Sequence, residues 1–176
     1  MERRIMAYKY SNSVTKKIGI LSSCGSSIRD IEDVLKDEGC DVLPSPFCTK
    51  SIDVIDGDEL ESIDAKNTSR GSKNKSVDVV FGVEDDGDSL LQSYVFVELK
   101  FRTKTFTTLD KDSLKEKVKC SSKLCGVGKD LYQFQYLVFS KNKVNWARHY
   151  LFRTNPILNS TFKAISISKL YDQFFI

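Results

Sequence analysis

The sequence predicts an α/β domain in which a mixed central β-sheet is flanked by α-helices. Runs of β-branched and aromatic residues with a period of two, "SVDVVFGV" and "YVFVELKFR", alternate along the chain with segments whose apolar residues recur at helical spacing, "SIRDIEDVLKDEG" and "DKDSLKEKVKCSSKLCG". The turn cluster "EDDGDS" joins the two strand-like runs into an antiparallel hairpin. A chain of 176 residues, 40% hydrophobic and 29% charged, has the size and composition of one folded domain with its own core, spanning residues 1–176.

The start, "MERRIMAYKY", carries basic residues but no apolar run of signal-peptide length. No segment approaches the roughly 20 apolar residues of a membrane span, so a cytoplasmic protein with no membrane partner is expected. The five cysteines, Cys24, Cys40, Cys48, Cys120 and Cys125, are odd in number and form no CxxC pair, which argues against a disulfide framework and fits a reducing compartment. After the short apolar run "KIGIL" (17–21), "SSCGSS" supplies Ser26 and Ser27 as N-cap candidates for a first helix. Ile28, Ile31, Val34 and Leu35 would share its buried face, Glu32 would border that stripe, and Gly39 would end it.

Residues 44–75 are less regular. "LPSPFCTK" breaks any helix, "IDVIDGDELESIDAK" allows a short strand or a helical turn, and "NTSRGSKNK" is a polar loop. The hairpin follows, and then a second helix over 110–126, with Leu114, Val118 and Leu124 as its apolar face and Gly126 as C-cap. "DLYQFQYLVFS" (130–140) reads as a buried strand in which Gln133 and Gln135 alternate with Tyr132, Phe134 and Tyr136. "HYLFRT" reads as another strand, and "AISISKLYDQFF" as a strand followed by a short helix. The predicted order is α, β, β, α, β, with additions at both ends.

Charge is informative through its distribution. The 27 basic and 24 acidic residues leave a net charge of +3, too little by itself to mark a nucleic-acid binder. Residues 52–64 are acidic, whereas 69–75, 100–104 and 115–123 are basic and flank the second hairpin strand on both sides. In that strand Val95, Val97, Leu99 and Phe101 point one way and Phe96, Glu98, Lys100 and Arg102 the other, so Glu98 and Lys100 are neighbours on one face. Asp78 sits among Val77, Val79, Val80 and Phe81 on the preceding strand, where a lone carboxylate is costly to bury, and the hairpin brings it near Glu98.

Asp78 in "SVDVVF" and Glu98-Leu99-Lys100 in "FVELKF" resemble the signature of the PD-(D/E)XK nuclease superfamily, an Asp at the start of one strand and a Glu-x-Lys on the next. The resemblance covers roughly residues 26–140 and implies a restriction-endonuclease-like core in the order α-β-β-β-α-β. Val77 stands where the motif has its proline, a position that varies widely in the superfamily. The resemblance implies a divalent-metal-dependent nuclease, a hydrolase acting on DNA rather than RNA, with Mg²⁺ or Mn²⁺ as cofactor. It assigns Asp78, Glu98 and the Leu99 carbonyl to the metal, and Lys100 to orienting the nucleophilic water or stabilising charge on the phosphate. Glu32 matches the glutamate that many members carry on the first helix, with a solvated helix residue as the alternative. Phosphodiester hydrolysis suits this set because hard oxygen ligands hold such ions and a compact ammonium meets the phosphate. Lys104, Lys115 and Lys119 are candidates for further phosphate contacts or for plain solvated surface.

A catalytically inactive member of the same fold, serving as a protein-binding or immunity-type partner, shares the same residues, and a homodimer remains open. A third reading makes the Glu-x-Lys an ion pair in an unrelated α/β binding domain. Other signals fall away. "GVGKD" (126–130) departs from a phosphate-binding loop at Lys123 and Asp130. Cys24, read between a strand and a helix N-terminus, lacks the Cys-x5-Arg spacing because Arg29 is one position too close. His149 is the only histidine, which excludes His-rich metal sites, and its aromatic neighbours Trp146, Tyr150 and Phe152 predict a packed, structural residue.

Overall fold

The computed structural model describes residues 7–106, 109–154 and 160–176. Their strands are β1 (Tyr8–Tyr10), β2 (Ile28–Asp30), β3 (Asp53–Asp56), β4 (Val79–Asp85), β5 (Asp88–Leu99), β6 (Gln135–Phe139) and β7 (Phe162–Ser166). Their helices are α1 (Asn12–Thr15), α2 (Leu21–Cys24), α3 (Ile31–Asp37), α4 (Ser45–Thr49), α5 (Gly57–Asn67), α6 (Lys111–Cys125), α7 (Val144–Thr154) and α8 (Ile167–Phe174). The class is α/β, as expected, with an open seven-stranded mixed sheet in the order β2-β3-β4-β5-β6-β7 and β1 beside the far end of β4.

Connection length sets strand direction. Asp86 and Gly87 alone separate β4 from β5, and that tight turn yields the antiparallel hairpin, with Val79 opposite Val97. Between β5 and β6 the chain must carry α6, and between β6 and β7 it carries α7, so both of those pairs are parallel. β3 runs antiparallel to both of its neighbours, β2 and β4.

Helices cover both faces of the sheet. On one, Val79, Phe81, Val95, Val97 and Val138 pack against Ile31 and Leu35 of α3, Phe47 of α4 and Leu170 and Phe174 of α8. On the other, Ile55, Val80 and Phe96 meet Val14 of α1, Leu21 of α2, Leu60 of α5 and Cys125 of α6. Leu114 and three residues of α7, Val144, Ala147 and Leu151, cover Leu137 and Phe139. All five cysteines are free. Among the described residues, no helix is long and apolar enough to cross a membrane.

Several boundaries differ from expectation. The first helix starts at Ile31 under an Asp30 cap that accepts from the Glu32 N–H at 2.9 Å, and neither Ser26 nor Ser27 caps it. Ser27 is buried and donates to the Cys24 carbonyl, while Ile28, opposite Ile55, belongs to β2. Cys24 ends a helical turn instead of following a strand. The segment "HYLFRT" lies in α7 and not in a strand, because Val144, Ala147 and Leu151 bury at helical spacing. His149 on that helix is exposed, as are Trp146 and Phe152, so the packing expected there is absent apart from Tyr150, whose ring lies 6.1 Å from that of Phe106. The expected stops hold: Gly39 and Gly126 both take positive φ.

Candidate active site

The site grows from adjacent ends of β4 and β5. Asp78 immediately precedes β4, its N–H donating to the Val97 carbonyl at 3.1 Å and its carbonyl accepting from Gly57 N–H at 3.0 Å. That second contact requires glycine, since a Cβ at Gly57 would lie 1.9 Å from the Val77 carbonyl oxygen. Glu98 and Leu99 end β5, and Lys100 follows with its N–H bonded to the Val138 carbonyl at 2.7 Å, so the backbone of the Glu-x-Lys is held by the parallel strand β6.

The structure brings Asp78, Glu98, Leu99 and Lys100 together. Leu99 buries its side chain in the core on the opposite face, while its N–H donates to Asp78 Oδ2 at 2.5 Å. Glu98 has a side chain only 2% exposed, a placement that is stable only when the charge is compensated. Lys100 Nζ donates to Glu98 Oε2 at 2.8 Å. A second ammonium, Lys117 of α6, lies 2.9 Å from both Glu98 oxygens and 3.5 Å from Asp78 Oδ1. Lys117 is the residue that sequence reasoning missed. In the folded chain Leu114, Lys117 and Ser121 follow one another down a single helix face and the outer two are buried, which carries Lys117 toward the sheet. Lys104, Lys115 and Lys119 are exposed.

Burial, and after it the charge of Glu98, push the Asp78 carboxyl up to about 7, against the opposing pull of Lys117, the Leu99 N–H and Lys100. For Lys117 burial acts downward, but Asp78 and Glu98 outweigh it and hold the ammonium above the ordinary lysine range, with Asp58 adding to the effect.

A cavity of about 170 Å³ opens beside Asp78, lined by Arg29, Asp37, Asp56 and Asp58 among others. Arg29 spans it, 2.8 Å from Asp56 and 2.6 Å from Asp37. Asp58 accepts from the Ser76 hydroxyl. The first helix therefore meets this cavity through Val34, Asp37 and Glu38, whereas Glu32 pairs with Lys36 one turn along at 2.5 Å.

Hard carboxylate oxygens suit Mg²⁺ or Mn²⁺, and Lys117 Nζ sits between these two carboxylates, 3.5 Å from Asp78 and 2.9 Å from Glu98. Among the described residues, no three acidic, histidine or cysteine side chains converge as a metal-holding group, so two carboxylates would be completed by backbone oxygen, water or substrate. Comparison of the chain with models of known protein families, with curated proteins and with solved structures finds no match.

Proposed function

We propose that the protein is a divalent-metal-dependent nuclease that hydrolyses phosphodiester bonds in DNA, of the PD-(D/E)XK type. The observation that carries this reading is the meeting of Asp78 and Glu98 around a single cationic atom, Lys117 Nζ, with Lys100 also bonded to Glu98. The succession α3, β3, β4, β5, α6, β6 supports it, because it follows the α-β-β-β-α-β order once α4 and α5 are treated as insertions.

In this reading Asp78 and Glu98, with the Leu99 carbonyl, hold Mg²⁺ or Mn²⁺. The bound ion would polarise the phosphoryl oxygen and lower the pKa of water. The protein's own groups do the rest. The Leu99 N–H fixes one Asp78 oxygen and leaves the other facing Lys117 Nζ, which also bonds Glu98. The Lys100 side chain is 21% exposed while anchored to Glu98, and so stands between the buried carboxylate and solvent, where it can orient water or meet charge building on the phosphate. A water oxygen bonds to phosphorus, the ester P–O bond breaks, and the leaving oxygen takes a proton.

A second reading, a non-catalytic protein-binding partner of the same fold, has one observation in its favour: Trp146 and Phe152, both on α7, are 72% and 67% exposed. Incubation with linear, circular and branched DNA, in Mg²⁺, in Mn²⁺ and in chelator, separates the two. The nuclease cuts at least one topology only when a divalent ion is present. Intact DNA under every condition favours the binding partner.

A further inference from the structure

Lys117 reaches the site from α6, whereas Lys100 arrives on the chain segment that carries Glu98. Its Nζ contacts Glu98 Oε1 and Oε2 and approaches Asp78 Oδ1, the same oxygens a divalent ion would use. One set of oxygens does not serve both, because an ammonium and a dication a few ångströms apart repel strongly when water is excluded. Charge balance leads the same way. Two carboxylates face two ammonium groups, so the cluster is neutral when both carboxylates are ionised. A dication added with nothing else changed leaves an excess of two positive charges around a glutamate that is 2% exposed. A phosphodiester brings negative charge and accepts a lysine as its counter-ion. The Lys117 side chain is 23% exposed on a flexible four-carbon stem, so its ammonium has a route outward.

Building on the nuclease reading, we propose that Lys117 is the displaceable cation of the site: it holds Asp78 and Glu98 in place before metal arrives, competes with the divalent ion for their oxygens, and moves to a DNA backbone phosphate when the ion replaces it. Uptake of metal and of DNA are thereby coupled, and the protein retains little divalent ion without nucleic acid. Lys117 is a positioning residue in the free protein and a phosphate ligand in the complex.

The test is Mn²⁺ binding by calorimetry to the wild type, Lys117→Met, Lys117→Gln and Asp78→Asn, each alone and with a hydrolysis-resistant phosphorothioate duplex. Both Lys117 variants bind Mn²⁺ alone about tenfold more tightly than the wild type, and the duplex tightens Mn²⁺ binding by the wild type about tenfold and by the variants far less. The Gln variant keeps a hydrogen-bond donor toward Glu98, so it reads the loss of charge even where the Met variant does not fold. Binding by both variants that is equal to or weaker than the wild type overturns the proposal. The nuclease reading then still stands if Asp78→Asn abolishes Mn²⁺ uptake. Absence of Mn²⁺ binding by every protein, with and without DNA, overturns the proposal and the nuclease reading together.

Discussion

Lys117, midway along α6, and Glu98, near the end of β5, are joined through both carboxylate oxygens at 2.9 Å. This contact ties the helix to the hairpin at the point where Asp78 also arrives, so the sheet, the covering helix and the charged cluster are stabilised by the same atoms.

Removing Glu98 leaves two ammonium groups without the carboxylate that both of them bond, in a largely buried setting. Loss of one partner from such a group costs about 3 kcal/mol. Glu98→Ala is therefore expected to lower the urea midpoint substantially without changing the slope of the transition. A midpoint equal to that of the wild type would mean that the cluster contributes nothing to stability.

Gly57 allows the start of α5 to touch the backbone that leads into Asp78. Gly57→Ala forces its Cβ against the Val77 carbonyl, which lies 1.9 Å from the ideal Cβ position. Overpacking of this kind costs about 1 to 3 kcal/mol, and here it moves backbone instead of a flexible side chain. The expected result is a lower melting temperature together with weaker Mn²⁺ binding, since Asp78 shifts with its neighbour. An unchanged melting temperature would contradict the close approach.

Asp78 titrates near 7 in the folded protein against 3.8 as its ordinary value, chiefly because it is buried and next because Glu98 is close. Between those values the folded chain holds a proton that the unfolded chain has released. Its contribution to stability is thus complete below the unfolded value and is lost as pH rises through about 7. In chelator, the wild type should lose stability relative to Asp78→Asn as pH rises across that window, as read by denaturant midpoints. Parallel pH profiles for the two proteins would show that Asp78 is not raised.

The hairpin was legible in the sequence because β4 and β5 are long, rich in β-branched and aromatic residues and joined by a Gly-containing turn, and α6 because of its apolar spacing and the Gly126 C-cap. The stretch 44–75 was not, because β3 is only four residues long and α5 begins at Gly57, directly after the last residue of β3 and without an intervening loop. Strands that short show no usable period. The misreading of α7 came from the aromatic run Tyr150-Leu151-Phe152, where Phe152 is in fact exposed and the buried spacing is set by Val144, Ala147 and Leu151. Asp78, Glu98 and Lys100 could be found because two neighbouring strands carry them. Lys117 stands among several lysines on a charged helix, and only the packing of α6 over the hairpin singles it out.

The central claim is that Asp78, Glu98 and Lys100 form a metal-dependent phosphodiesterase site. Lys100→Ala tests it most directly, because Glu98 retains Lys117 as a partner in that variant and the fold is expected to persist. Cleavage of linear, circular and branched DNA in Mn²⁺ would be followed for the wild type and for Lys100→Ala, alongside their circular dichroism spectra. The account predicts metal-dependent cutting by the wild type that falls by at least about a hundredfold in Lys100→Ala, with the spectrum unchanged. Equal cutting by both proteins, or none by the wild type, would contradict it.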